Sequence, residues 1–444
     1  GEPQVIEEEE DCSEVESGGN DQNSASNQES TNIVKENQQL TPQFGRVLAL
    51  TASPGASKSK IEITCHNLHV PSDNIEFRDK KSKSVKKYAH ETEVLHVPVH
   101  MTDTMKKIHS ALTEVKHDVL LQYIQKLAEF DSSCPANPDR YYLGTILKYQ
   151  KNLQAALHGG GSNPKLVRSL LSLSAMCMKV FHLVDNLEAQ GLAVVFKSMR
   201  KTVRKLKRGK ASYADKFLFQ DGRISRMYAY LRHEYVEGDG SLKRLNPKVL
   251  VGRFPHPKML KLQHVVKSQF REEPESRILV FTKLRTTVQL LREFVQEVPG
   301  ARPKKFVGQS TKSKQDKGMS QKEQIETLEH FKEGIYNVLI ATSVAEEGLD
   351  VAECNLVVFY DNSASEIKMI QRMGRTGRSS TGKVVILYTE GTSDERYLKL
   401  ARFKKGNMRK NLGAKPEKKL FKKTLLSEST QKHRKSRDRG DRVP

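Results

Sequence analysis

Apolar positions along the 444-residue chain follow two different periods. Between 277 and 388 they gather in short runs: Arg277-Ile278-Leu279-Val280-Phe281, Lys305-Phe306-Val307, Asn337-Val338-Leu339-Ile340-Ala341, Leu356 to Tyr360 and Val384 to Tyr388. Runs of this length, rich in β-branched residues, read as buried strands. The stretches between them have helical spacing, at 286–298 and in a helix to Phe331 opened by the capping box Ser320-Gln321-Lys322-Glu323; a further helix at 256–271 leads into the first run. Strands alternating with helices predict βαβ units and a parallel sheet, an α/β fold whose ligands sit at the carboxyl ends of the strands.

From about 91 to 250 the period is helical throughout. Thr102 or Asp103 can cap a helix to Phe130, with Met105, Ile108, Leu112, Val115, Val119, Tyr123 and Leu127 three and four residues apart. Further helices are expected at 138–157, 164–187 and 189–208, with two more in 212–235. Upstream, Arg46 to Leu50 reads as a buried strand stopped by Thr51-Ala52-Ser53-Pro54-Gly55. Residues 1–40 have no apolar period and cannot bury enough surface to order themselves.

Charge changes this picture. The net charge is +22, yet residues 1–40 hold eleven acids and one lysine, and 401–444 hold sixteen bases and four acids. A basic body between an acidic segment and a basic tail points to a polyanionic partner, and nucleic acid outranks a membrane in the absence of a lipidation motif. In the 189–208 helix, Leu192, Val195, Met199, Val203 and Leu206 form an apolar stripe. Lys197, Arg200, Lys201, Arg204, Lys205, Lys207, Arg208 and Lys210 occupy the remainder with no acid among them. That is the pattern of a phosphate-tracking surface, set against the blander reading of a solvated basic face. Five scattered cysteines without a C-x-x-C pair argue against a zinc site or a disulfide framework and for a reducing setting. No apolar run approaches the ~20 residues that span a bilayer.

The most specific segment is Gln371-Arg372-Met373-Gly374-Arg375-Thr376-Gly377-Arg378. A short helix there would set Arg375 and Arg378 on one side, with glycines admitting close approach of the backbone. Guanidinium forks match phosphate oxygens, so the chemistry implied is stabilisation of negative charge in phosphoryl transfer, set against the blander reading of an arginine-rich helix on a solvated or nucleic-acid-binding face. Other candidate segments each follow one of the strands: Thr282-Lys283, Gly308-Gln309, and Thr342-Ser343-Val344-Ala345-Glu346-Glu347-Gly348-Leu349-Asp350.

In that register the chain resembles the second motor domain of superfamily 2 helicases. Residues 278–283 resemble motif IV, 341–350 motif V, 371–378 motif VI, and Thr51 to Gly55 motif III. Phe306-Val307-Gly308-Gln309, Gln321-Lys322-Glu323-Gln324, Glu346 to Asp350 and the octapeptide are similar to archaeal Hef and the Fanconi anaemia M-type DNA translocases. The resemblance spans about 46–400. It implies an α/β, RecA-like parallel sheet with an all-helical insert domain and a remnant of the first motor domain. The expected organisation is an acidic segment at 1–40, the remnant at 41–90, a DNA-binding insert at 91–250 between the motor halves, the second RecA-like domain at 251–400 and a basic tail at 401–444.

By the same resemblance, Arg375 and Arg378 would meet the ATP phosphates, one of them as an arginine finger, and Gln371 would position the nucleotide or attacking water. Gly348 and Asp350 would face the ribose side. Thr342 and Ser343 would hold a DNA phosphate, while Thr282, Lys283, Gly308 and Gln309 would touch the tracking strand. Lys197, Arg200, Lys201, Arg204, Lys205 and Arg208 would grip DNA from the insert, and Thr51 and Ser53 would relay the nucleotide state. Glu346 and Glu347 have the alternative of ion pairs inside the motor. The 444 residues contain no G-x-x-x-x-G-K-[ST] and no D-E-x-[HD] after an apolar strand. ATP and Mg²⁺ would therefore be held mainly by first-domain residues, and the chain is expected to start between motifs II and III and to be inactive alone. The expected function is that of the C-terminal part of an ATP-dependent helicase on forked or junction DNA in repair, in the nucleus if eukaryotic and the cytoplasm if archaeal. Alternatives are a duplex-RNA-dependent ATPase or a non-enzymatic DNA-binding chain. Gly-Arg-Thr-Gly-Arg, rather than Gly-Arg-x-Arg, tilts the choice towards DNA.

Overall fold

The computed structural model describes residues 47–51, 54–71, 74–79, 82–87, 90–159, 163–236, 250, 252–311, 317–346, 350–377 and 380–413. Two short helices, α1 (Lys58–Asn67) and α2 (Lys83–Lys86), precede strand β1 (Thr92–Val99). Five helices follow: α3 (Asp103–Ala128), α4 (Leu143–His158), α5 (Pro164–Gln190), α6 (Leu192–Lys207) and α7 (Tyr213–Gln220), with α8 (Gly222–Val236) closing the group. The alternating region then runs α9 (Pro257–Glu272), β2 (Ile278–Phe281), α10 (Arg285–Val295), β3 (Pro303–Phe306), α11 (Gln321–Lys332), β4 (Val338–Ala341), β5 (Leu356–Phe359), α12 (Glu366–Met373), β6 (Gly382–Thr389) and α13 (Ser393–Asn411).

The strands form a six-stranded sheet in the order β1-β6-β5-β2-β4-β3, with every pairing parallel. All residues of β2, β4 and β5 are buried, as a parallel sheet covered by helices on both faces requires. The register sets Phe281 beside Ala341 and Phe359, and Ala341 beside Phe306, so the loops after these strands leave from one edge. Both outer strands carry proline, Pro98 and Pro303, which cannot donate to a further strand.

Strand β1 corrects the expected boundaries. Residues 92–99, assigned from sequence to the helical block, pair along their whole length with β6. The helices therefore follow an edge strand of this sheet and are inserted between it and the rest of the sheet. Weak apolar alternation and Pro98 hid this strand; an edge position tolerates both. The expected strand at 46–50 is also corrected. Its described residues 47–50 form no strand, and Val47, Leu48 and Leu50 are exposed. An apolar run with no neighbouring strand has no backbone partners to hold it as one.

Within the insert, Thr102 caps α3 as expected, its hydroxyl accepting from the Met105 amide at 3.3 Å. Helix α5 is, by length and composition alone, long and apolar enough to cross a membrane, in contrast to the reading from run length. In the fold it is the spine of the insert: Val167, Leu170, Val180, Val184 and Leu187 are buried against α3 and α4. It stops at Gly191, whose φ of +91° suits glycine and whose added Cβ would lie 3.0 Å from the His256 ring.

Candidate functional site

The segments after β2, β3, β4 and β5 meet at the carboxyl edge of the sheet. Ladder bonds continue past the strand ends: the Thr282 amide donates to the Ala341 carbonyl (2.9 Å), the Thr342 amide to the Phe306 carbonyl (3.1 Å) and the Tyr360 amide to the Phe281 carbonyl (2.9 Å). Asp361, two residues past the end of β5, is the centre of this edge. Its Oδ2 accepts from Thr282 Oγ1 (2.7 Å), the Lys283 amide (2.8 Å) and Gln190 Nε2 (2.7 Å).

Helix α12 carries the arginine segment to this edge. Ser365 caps it, its hydroxyl accepting from the Lys368 amide at 3.4 Å. Arg372 is buried: its Nε donates to Glu346 Oε1 (2.8 Å), its Nη1 donates to the Asp361 carbonyl (3.1 Å), and the guanidinium lies 5.1 Å from the Phe281 ring. Arg372 thus ties the segment after β4 to the loop after β5, and Glu346 makes an ion pair inside the motor, the alternative its sequence position had left open. The helix ends at Met373 with Gly374 as its cap, so Arg375 lies in the turn beyond it. Arg375 is buried, with Nη2 donating to the Glu346 carbonyl at 2.5 Å. Gly377 follows at φ +72°, and an added Cβ on Gly382 would come 2.6 Å from its amide. Gly382 thus has no room for a side chain, and Gly377 takes a left-handed conformation that suits glycine.

Other expected site residues divide by exposure. Lys283, Gln309, Ser343 and Asp350 are exposed at the sheet edge, with Gly308 and Gln371 half-buried. The Gly308 carbonyl accepts from Arg285 Nη2 at 2.6 Å, and Gln324 Nε2 donates to the Val307 carbonyl at 2.9 Å. Thr342 is 9% exposed, whereas Thr282 is fully buried with its hydroxyl given to Asp361. That corrects the expected strand contact by Thr282: the side chain anchors the loop and Lys283 is what the loop presents. On α6, Lys201, Arg204, Lys205 and Arg208 are exposed and Lys197 is half-buried. Arg200 is buried at 7% exposure, where desolvation and then Arg204 pull its pKa below the usual arginine range. It packs inside the helix group and leaves the expected DNA-facing set. Thr51 is exposed. Ser53, Glu347, Gly348, Arg378, the acidic 1–40 segment and the tail from 414 lie outside the described residues.

Sequence reasoning missed the polar groups behind the edge. Lys258 and Asp394, both almost completely buried, pair at 2.7 Å, and Asp394 also accepts from the Asn362 and Thr389 amides. Glu188 accepts from His109 (2.7 Å) and the Ser393 amide (2.8 Å). Burial alone would raise the Glu188 pKa, but these bonds outweigh it and the net shift is downward. An acid just past an apolar strand was the one available signal, at Asp361.

His256 joins the two parts of the molecule: its Nδ1 accepts from the Lys258 amide (3.0 Å), which leaves Nε2 to donate to the Glu188 carbonyl (3.1 Å). Burial, reinforced by the Lys258 charge, pushes its pKa down to about 3. Since the unfolded histidine titrates near 6.5, the unfolded chain takes up a proton that the folded chain refuses as pH falls. The associated stability is complete above about 6.5 and is lost at ~1.4 kcal/mol per pH unit below it, until about 3. Urea unfolding at pH 7.5 and 5.5 should show this loss, and His256→Gln should remove its share of the slope.

A parallel sheet with arginines, threonines and an exposed lysine along its carboxyl edge, and a basic helical insert, defines the second motor domain of a RecA-like helicase. Residues 258–380 match the family model described as helicase conserved C-terminal domain. The Pyrococcus furiosus Hef helicase domain structure is 32% identical, with a TM-score of 0.57, covering 82% of this chain and 69% of that one. Among curated proteins, the ATP-dependent DNA helicase mph1 of Neurospora crassa is 29% identical over 357 residues (79% of this chain, 29% of the relative). The Fanconi anemia group M protein of Gallus gallus is 28% identical over 393 residues (82% of this chain, 18% of the relative). The chain belongs to the Hef and Fanconi anaemia M-type family of superfamily 2 helicases. It spans under a third of the length of these two curated relatives.

Proposed function

We propose that the chain forms the second motor domain and DNA-gripping insert of an ATP-dependent helicase or translocase that works on branched DNA in repair. The observation that carries this reading is the anchoring of the arginine segment: Arg372 and Arg375 are bonded to Glu346 and Asp361 at the edge from which Lys283 and Ser343 are exposed. One edge thereby offers cations for a triphosphate and groups for a nucleic-acid backbone.

In this scheme Arg375 and Arg378 reach the ATP phosphates and Gln371 orients the nucleotide or water. Asp350 and Gly348 approach the ribose. Lys283, Gly308 and Gln309 follow the tracking strand, Thr342 and Ser343 take a phosphate, and Thr51 and Ser53 relay the nucleotide state. ATP and Mg²⁺ would be held mainly by residues of a first motor domain, with this sheet supplying arginines to the phosphates. ATP binding would draw this sheet towards a P-loop-bearing partner sheet, and release would let Lys283 and Ser343 advance along the strand.

Lys201, Arg204, Lys205 and Arg208 supply the insert's grip. Replacing all four by alanine is expected to weaken binding of forked DNA regardless of sequence. It should also lower the slope of log affinity against log salt by ~0.9 for each phosphate that the variant leaves unneutralised. Fluorescence anisotropy across a salt series measures both, with duplex RNA as the competing ligand. An unchanged slope, or stronger binding of duplex RNA, would overturn the assignment.

A further inference from the structure

We propose that Gln190 is a positioning residue that couples the insert's basic helix to the strand-binding loop, so that DNA load on one alters the other; this rests on the DNA-motor reading above. Gln190 is the last residue of α5, separated from α6 by Gly191 alone. It is 3% exposed, and its carboxamide is used in both directions: Oε1 accepts from Thr287 Oγ1 and Nε2 donates to Asp361 Oδ2, each at 2.7 Å. The same Asp361 oxygen holds Thr282 Oγ1 and the Lys283 amide. One carboxylate oxygen therefore gathers the root of the basic helix and both residues of the loop.

The surroundings leave this clasp little freedom. Thr287 and Thr282 are fully buried and Asp361 is 3% exposed, so no water can replace a missing donor cheaply. A Cβ added to Gly191 would lie 3.0 Å from the His256 ring, so the chain passes close to that ring where α6 begins. A displacement of α6 by DNA must consequently be taken up at Gln190, and a shift of its amide relocates the oxygen that orients Lys283. A purely structural glutamine would add stability and leave the two DNA-binding elements energetically independent.

The experiment is a mutant cycle on the full chain with forked DNA at fixed salt. Affinities are measured for the native chain, the Lys201/Arg204/Lys205/Arg208→Ala variant, Lys283→Ala and their combination, then for the same set carrying Gln190→Leu and Thr287→Val. The paired apolar changes remove both partners of one bond and spare the fold an unpaired hydroxyl. In the native background the combined loss of affinity should depart at least ~5-fold from the product of the single losses, as coupled sites do. Without the clasp it should fall within ~2-fold of that product, as independent sites do. Additive losses in the native chain, or equal coupling in both sets, overturn the role of Gln190 and leave the DNA reading standing. No binding by the native chain would sink both. If the clasp variant does not fold, the same cycle in Thr287→Val alone, which removes one partner of Gln190, decides: the coupling should move towards additivity, and equal coupling overturns the role of Gln190.

Discussion

Alanine at Arg375 or at Arg378 should cut DNA-stimulated ATP hydrolysis by ~10³-fold or more when these residues are joined to a P-loop-bearing first motor half. The size follows from what a guanidinium does in phosphoryl transfer. It meets charge that grows on the phosphoryl oxygens in the transition state, so its removal lowers turnover far more than it weakens nucleotide binding. Arg375 already spends one nitrogen on the Glu346 carbonyl, an arrangement that holds the fork before ATP arrives. Lysine at the same position keeps the charge but not the planar fork, and should restore little activity. Steady-state kinetics with forked DNA, alongside the unfolding midpoint, separate the outcomes. Retained turnover in both alanine variants would remove the finger role from this segment.

Equally large, but on stability, is the expected result for Lys258→Met. The Lys258 ammonium and the Asp394 carboxylate have side chains 0% and 1% exposed and lie 2.7 Å apart, with the ammonium 4.9 Å from the Tyr360 ring centre. Methionine fills the stem's volume but strands the carboxylate away from water. Burial already raises the Asp394 pKa, and the Lys258 charge is what opposes that rise. Breaking a buried pair by removing one member costs about 3–5 kcal/mol, because the other charge is left unmatched. Adding Asp394→Asn should return a large part of the loss, since an amide needs no counter-charge. Urea unfolding reads both variants. A loss under ~1 kcal/mol for Lys258→Met would mean that the pair is not what joins α9 to α13.

These two predictions differ in how visible their residues were. Arg375 and Arg378 stand in an eight-residue pattern that, together with the motif segments after the strands, points to phosphate chemistry. Lys258 and Asp394 are 136 residues apart and look like ordinary helix-end charges. Nothing in local sequence distinguishes an ammonium that faces water from one that faces a carboxylate in the core. Thr282 shows the same limit from the other side. Its place after β2 was legible, but the direction of its hydroxyl depends on Asp361, which only the sheet register brings within 2.7 Å.

The sequence by itself determined the alternation of strands and helices from 256 onward, the helical character of most of 103–236, the capping box at Ser320 and the order of the motif segments along the sheet edge. These are local properties, set by side-chain period, caps and the few residues that flank a strand. Tertiary structure alone decided that β1 belongs to the sheet, that 47–50 does not, that Arg200 is inside and that Gln190 reaches Asp361. The β1 pairing joins residues 290 apart and the Gln190 bond residues 171 apart, and burial and hydrogen bonding between such distant groups leave no period to read.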